Sequence, residues 1–434
     1  GPPDSTLSDF VREWNARYIS PRLVISTTQH MIEEFERRYG KDLAIVQGDL
    51  TPYWEDGAVS TAKEVALNRN SAETLVQAEA LYALFNPKGY KPDDFYSAWR
   101  KVLLFDEHTW GAWNSISEPD SPGVKAQWDY KQAFAVEGNR EAKNLMNRIL
   151  KVRKPFPSKV SAIDIVNTSS WARTDLVILP KDLPLSGNRV KDKRGAGVPS
   201  QRLSTGELAV LAKDVPPMSA KRLFFEPGHP SEFDSKLSIN ETTISNGDIS
   251  LSLDRTTGAI KSLLWKKLGR DLVDTSRGAG LNQFFYIPGR DPKSALTDTS
   301  VKTSVKESGP LVASLLIESA PEGSNSLRRE IRVVNGLDRV DIINTLDKKK
   351  VREKESVHFG FPFLVPQGII RVDEGWEIIR PEADQLRGAC KDFFSVQRWV
   401  DVSNQDYGVT WATVDAPLVE VGELTDERLA NNGV

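Results

Sequence analysis

The chain has 434 residues, of which 39% are hydrophobic and 27% charged; 57 Lys and Arg face 60 Asp and Glu, for a net charge of −3. This is the make-up of a soluble globular protein with more chain than one core needs. It offers no basic field for nucleic acid or an anionic membrane surface, and no apolar run reaches membrane-spanning length. Cys390 is the single cysteine, so no internal disulfide can form; that fits a reducing compartment and leaves export open. The opening Gly1-Pro2-Pro3-Asp4 has neither a methionine nor a signal-like apolar stretch and reads as a truncated or processed start, which leaves localisation and oligomeric state open.

Leu7, Phe10, Val11 and Trp14 line one face of a helix expected over residues 5–18. Residues 23–25 read as a short buried strand. A helix from Thr28 follows, carrying Met31, Ile32 and Phe35, with Gly40 as its stop. Residues 43–46 read as a second buried strand ending at Gly48-Asp49. Strand, helix and strand in that order suggest a parallel sheet. Leu75, Ala78, Tyr82 and Phe85 then mark a long helix. Phe95, Trp99 and Val102 mark a second after Lys91-Pro92. A third starts near Ser121-Pro122, where proline suits the first turn, and carries Trp128, Phe134, Leu145 and Ile149. Three helices in this order read as an antiparallel bundle.

Beyond Pro155-Phe156-Pro157 the text becomes β-type. Residues 163–167, 176–179 and 208–211 are short strand runs, and the basic stretch 189–197 reads as a solvated loop. Residues 226–230 read as a linker. Ile249, Leu251 and Leu253 alternate with polar residues, and Asn335-Gly336 between 327–334 and 340–346 signals a hairpin. The charge run 347–354 reads as a wet turn or edge. The whole segment to Glu420 reads as a large antiparallel sandwich.

The candidate chemistry lies in the first third. Asp49 follows the C-terminal end of an expected buried strand, where α/β enzymes place catalytic groups; a helix cap or turn aspartate would sit there equally well. His108 lies among Asp106, Glu107, Trp110 and Trp113, a mixture of carboxylates, imidazole and indoles that suits zinc and sugar rings, or a capping histidine above core tryptophans. His30 reads as a surface residue, His229 as a linker residue and His358 as a half-buried strand residue. No His-x-His, His-Glu-x-x-His, Cys-x-x-Cys, phosphate-loop or Gly-x-Ser-x-Gly spacing occurs, so no complete zinc site can be assembled from local motifs.

The run from Gly48 through Asp49, Leu50, Thr51, Pro52, Tyr53 and Trp54 to Gly57, followed by Ser60-Thr61-Ala62-Lys63 and Asn68-Arg69, resembles family 38 α-mannosidases where barrel meets bundle. Asp106-Glu107-His108-Thr109-Trp110-Gly111 resembles the family's histidine-bearing bundle segment. Leu281-Asn282-Gln283-Phe284-Phe285-Tyr286 and Val396-Gln397-Arg398-Trp399-Val400-Asp401 resemble its C-terminal β domain. The resemblance implies a multidomain α plus β fold: the end of a β/α barrel (1–52), a three-helix bundle (53–154), a small β domain (155–230) and a truncated, mutarotase-like β-sandwich (231–434). It implies retaining hydrolysis of α-mannosides by a carboxylate nucleophile, a carboxylic acid/base and one zinc ion. Asp49 matches the acid/base and His108 a zinc ligand; Tyr53, Trp54, Asp106 and Trp110 are the candidate sugar contacts. Glu107 and Thr109 stand where many relatives carry histidine and aspartate. The family's nucleophile and first two zinc ligands would lie upstream of Gly1, so this chain alone is expected to be inactive. The partner implied is a mannose-containing glycan, with no nucleic acid and no membrane. Two other readings compete: a zinc-free, mutarotase-like enzyme using His358 with Glu355, and a carbohydrate-binding protein that has lost catalysis.

Overall fold

The computed structural model describes residues 4–45, 61–107, 114–151, 158–276, 278–375, 377–386 and 393–422. Two compact units divide the chain, residues 1–49 and 50–434.

In the first unit, α1 (Leu7–Arg17) and α2 (Thr28–Tyr39) form where the apolar spacing placed them. Thr27 caps α2 by accepting from the His30 amide, and Gly40 closes it. Residues 23–25 are not a strand, and neither are 43–45. A strand needs a neighbour for its backbone groups, and among the described residues these runs have none. Val24 and Ile25 are exposed, and the Leu23 backbone is instead bound by the Asn15 side chain at 2.7 and 2.9 Å.

The second unit opens with α3 (Ala62–Phe85), α4 (Pro92–Asp106), a short α5 (Asn114–Ser117) and α6 (Pro122–Ile149). Ser121 caps α6 by accepting from Val124 N, and Pro122 occupies the first turn, where its missing N–H loses nothing. Leu75, Ala78, Leu81, Tyr82, Phe95, Ala98, Val102, Ala142, Leu145 and Ile149 form the core between α3, α4 and α6. None of the helices is long and apolar enough to cross a membrane among the described residues.

A small β layer follows: β1 (Ala162–Asn167), β2 (Arg173–Leu179), β3 (Arg189–Asp192), β4 (Ser200–Arg202), β5 (Leu208–Val215) and β6 (Ser219–Glu226), in two sheets of order β1-β6-β3 and β2-β5-β4. The first part of the basic run expected as a loop over 189–197 is therefore a strand, Arg189–Asp192, while 193–197 form the exposed turn that follows it. The charge of the run misleads because the strand is half-buried: Val190 is fully buried, while Lys191 pairs with Glu226 at 2.7 Å.

The larger β region begins with β7 (Ser238–Ile239), β8 (Thr243–Ser245), β9 (Ile249–Leu253), β10 (Ile260–Trp265) and β11 (Arg270–Asp271), paired in chain order. Then come β12 (Gln283–Pro288), β13 (Leu296–Thr297), β14 (Lys302–Ser308), β15 (Val312–Ser319), β16 (Ser324–Val334), β17 (Val340–Lys348) and β18 (Glu355–Gly360). The antiparallel sheet β14-β15-β16-β17 packs on the β7–β11 sheet through Ile244, Leu251, Leu253, Ile260, Leu315, Ile317, Ile331 and Val333. The hairpin expected around Asn335-Gly336 joins β16 to β17, with Gly336 at φ +82°. The charge run beyond it is exposed except at Lys348, which pairs with Glu355 at 2.7 Å. The chain closes with β19 (Ile369–Glu374), β20 (Glu377–Ile379), β21 (Phe393–Ser395), β22 (Trp399–Ser403), β23 (Gly408–Ala412) and β24 (Leu418–Glu420), in a sheet of order β20-β19-β22-β23 and a β21-β24 pair.

Buried polar side chains fix how these layers meet. Arg329 has no exposed side-chain surface; it donates to the carbonyls of Thr257 at 2.6 Å and Asn282 at 3.1 Å, 3.9 Å from the Asp298 carboxylate. Burial pushes its pKa down to about 10. Gly258 makes room for it: at φ +66° an added Cβ would lie 2.7 Å from the guanidinium. Asn282 and Asn344 exchange hydrogen bonds at 2.9 and 2.7 Å, and Gln283 ties the Gly280 amide to the Thr297 hydroxyl. The Asn282-Gln283 part of the family-like motif is thus architectural.

Gln201, on β4, joins the small layer to the sandwich by accepting from the amides of Leu311 and Val312 and donating to the Val312 carbonyl, at 2.8–3.1 Å. Gln201→Leu would keep the volume and strand the amides of Leu311 and Val312, while the Val312 carbonyl keeps the Gly309 amide. It should destabilise the protein by about 1–3 kcal/mol, seen as a lower urea midpoint. An unchanged midpoint would show that water takes over these bonds.

Candidate functional site

The buried face of the bundle changes character along its length. On α3 the buried line runs Glu64, Asn68 and Ser71, then Leu75, Ala78 and Tyr82, at alternating spacings of four and three. On α6 it runs Val124, Lys131, Gly138 and Leu145, seven apart, so a lysine holds a core position. The apolar half packs conventionally. The polar half is cross-linked: Gln132 donates to Glu64 at 2.7 Å, and Asn139 donates to the Leu67 carbonyl, Asn70 and Ser71 at 3.2–3.3 Å.

The last turn of α4 enters this polar end, and both neighbouring helices grip it. From α6, the buried Lys131 ammonium donates to the carbonyls of Leu104 at 3.0 Å, Phe105 at 3.4 Å and Glu107 at 2.8 Å, the groups that a helix C-terminus leaves unpaired. Burial pushes the Lys131 pKa down, against the pull of Glu107 and Asp106. From α3, Asn68 donates to the Asp106 carboxylate at 2.8 Å and to the Val102 carbonyl at 3.4 Å, while its own buried Oδ1 has no partner among the described residues. Asp106 keeps part of its surface open to water. Even so, the protein around its carboxyl desolvates it and pushes its pKa up to about 6; the bond from Asn68 and the charges of Lys131 and Arg69 oppose that rise without cancelling it.

Arg69, the next residue on α3, reaches the C-terminal sheets. Its guanidinium donates to four backbone carbonyls: Val396 at 3.2 Å, Gln397 at 2.8 Å, Thr413 at 2.7 Å and Val414 at 3.0 Å. Glu73, one turn on, binds Arg398 at 2.7 Å. Asp415, Glu73 and Asp106 surround Arg69 with negative charge, Arg398 opposes them, and burial holds the Arg69 pKa below its usual value. Two stretches more than 300 residues apart, each singled out by the same family resemblance, therefore touch here.

Of the sequence-derived site residues, Asp106 lies in this polar end. Asp49, Tyr53, Trp54, His108 and Trp110 lie outside the described residues. Among the described residues no group of three or more His, Cys, Asp or Glu is placed to hold a metal. His30 and His229 are exposed. His358 is half-buried on β18, 3.2 Å from the Glu420 carboxylate and 2.9 Å from the Ser356 hydroxyl. Glu355 is occupied by Tyr286 and Lys348, which leaves the His358–Glu355 pairing of the mutarotase-like reading without support. Sequence reasoning missed Lys131 and Gln132; the signal was a lysine in the seven-residue line of buried α6 positions.

Residues 244–416 match the family model for the glycosyl hydrolases family 38 C-terminal domain. A solved structure described as a protein in glycosyl hydrolase family 38 from Enterococcus faecalis superposes with a TM-score of 0.64 at 15% identity, over 96% of this chain. At that identity the likeness shows the fold. The chain spans 57% of the length of that protein. No curated protein matches.

The Asp106 carboxyl, ordinarily at 3.8 and raised to about 6 on folding, favours the folded state when protonated. Its contribution is full below about pH 4 and is lost as pH rises through about 6. Asp106→Asn should flatten that decline, by less than about 1 kcal/mol because water screens the exposed part. Urea midpoints across this window test it; parallel profiles for both proteins would place the carboxyl at its ordinary value.

Proposed function

We propose that this chain, through its family 38 C-terminal domain, forms part of a glycoside hydrolase that acts on terminal α-mannosides with retention. The observation carrying the reading is the junction itself: the polar end of the bundle, the start of the His108 segment and the two C-terminal loops held by Arg69 meet in one place, in a chain with a family 38 domain. A retaining glycosidase needs a pair of carboxyl groups and sugar-binding groups brought together from separate elements.

In this reading Asp49 is the acid/base and His108 a zinc ligand, as the resemblance implies. The Asp106 carboxyl and the unpartnered Asn68 Oδ1 are oxygen acceptors next to the segment that carries His108, and such groups orient a ligating imidazole through its second nitrogen. Zinc, when bound, supplies a grip on sugar hydroxyls that helps distort the ring. Lys131 and Asn68 fix the end of α4. Asp49 would give its proton to the glycosidic oxygen and then take one from the attacking water. Tyr53, Trp54, Asp106 and Trp110 would contact the sugar.

Two outcomes are expected for the gene product that contains this chain. His108→Ala should lose both bound zinc and activity; one equivalent of zinc retained at a normal rate would make His108 structural. Asp49→Asn should lose about 10²–10⁴-fold on mannobiose, whose alkoxide needs a proton to leave. It should largely spare the first step with dinitrophenyl mannoside, and azide should restore turnover as α-mannosyl azide. Equal losses on both substrates without azide rescue would give Asp49 a folding role. A zinc-free wild type that binds mannosides without cleaving them would favour the carbohydrate-binding reading.

A further inference from the structure

The face of the sheet β14-β15-β16-β17 that turns away from the sandwich core carries a half-open hollow of about 200 Å³, lined by Lys306, Leu316, Arg328, Glu330, Ile343 and Thr345. Strand register sets its geometry. Glu330 on β16 lies between Leu316 on β15 and Ile343 on β17, and Arg328, two residues back on the same face, lies opposite Thr345. A bulge in β14 between Val305 and Glu307 brings Lys306 beside Glu330. A glutamate on such a face is ordinarily solvated, yet Glu330 is 6% exposed. Lys306 donates to one of its oxygens at 2.5 Å, and Arg332 donates to the other at 2.9 and 3.2 Å. Burial raises the Glu330 pKa, but these bonds outweigh burial and hold it below its usual value, so the floor of the hollow is a carboxylate.

The groups around that floor are not used up. Among the described residues, the Lys306 ammonium bonds only Glu330, Arg328 makes only a 3.3 Å contact of its Nε with Glu318, and the Thr345 hydroxyl has no partner. The cations Lys181, Lys306, Arg328 and Arg332 stand against Glu207, Glu318 and Glu330, which leaves a positive charge over. The hollow therefore offers unmatched cationic donors at its rim, carboxylate lone pairs at its floor and apolar walls of Leu316 and Ile343. A ligand that answers all three carries an anionic group, hydroxyl donors and an apolar C–H face. Phosphate lacks the apolar face, a fatty or aromatic acid lacks the donors, and a neutral sugar leaves the cations unanswered. A hexuronic acid has all three features. Its single ring also suits the volume, since a cavity of about 150 Å³ holds benzene.

We propose that this hollow binds a hexuronic acid unit, with its carboxylate on Lys306 and Arg328, its hydroxyls on Glu330 and Thr345, and its C–H face on Leu316 and Ile343. The site lies within one sheet and stands independently of the hydrolase reading.

The test uses the gene product that contains this chain, titrated with methyl β-glucuronide and with methyl β-glucoside, which lacks the carboxylate. Saturation-transfer NMR should give a Kd of about 1–10 mM for the glucuronide and binding about 10-fold weaker for the glucoside. Raising salt from about 50 to about 300 mM should weaken the glucuronide and leave the glucoside unchanged, because the rim cations are open to solvent. Arg328→Gln changes an exposed side chain and should cut the preference for the glucuronide to about 3-fold or less. Arg328→Lys keeps the charge and should keep most of the preference. Equal affinities for the two sugars, a wild-type preference in Arg328→Gln, or no glucuronide binding at about 50 mM would each overturn the proposal.

Discussion

A buried hydrogen-bonding group left without a partner destabilises a fold by as much as a well-packed side chain supports it. In this protein that penalty sets where the layers stand. The apolar clusters of the bundle, the small β layer and the sandwich would each tolerate some sliding, because dispersion and burial are not directional. Gln201, Arg329, Asn68 and Arg69 do not tolerate it: each binds main-chain atoms of a different element at fixed geometry. Glu307 adds a further tie, accepting from the Ser204 amide at 2.9 Å and from its hydroxyl.

The elements legible in the sequence were those whose signals are local. Gly40 marked the end of α2, Ser121-Pro122 the start of α6, and Asn335-Gly336 the hairpin. The reading failed where an element depends on a neighbour. Residues 23–25 have strand-like composition but no ladder to join, whereas residues 189–192 have loop-like composition and pair with β6. Composition reports what a side chain prefers, and pairing decides what the backbone does.

The candidate site shows the same division. Asp106 stood out because carboxylates, imidazole and indoles cluster around it. What surrounds it in space came from elsewhere in the chain: Asn68 from α3 and Lys131 from α6. Lys131 was concealed by its type, since a lysine on a helix is usually solvated. Its seven-residue phase with Val124, Gly138 and Leu145 was the available clue. A polar residue that keeps the phase of a buried stripe has its partners inside, and here those partners are the unpaired carbonyls at the end of α4.

Asn68 and Arg69 are neighbours in sequence, and that adjacency carries a consequence. Consecutive side chains on a helix leave about 100° apart, so they face different surroundings. Asn68 faces the bundle and holds Asp106; Arg69 faces the C-terminal sheets and holds the loops at 396–397 and 413–414. One turn of α3 therefore belongs to both contacts. A rotation of α3 that improved one would pull the other out of hydrogen-bonding range, so the placement of the C-terminal loops and the placement of the α4 end are a single geometric quantity. That coupling lets a β-rich region far along the chain take a definite position beside the end of α4.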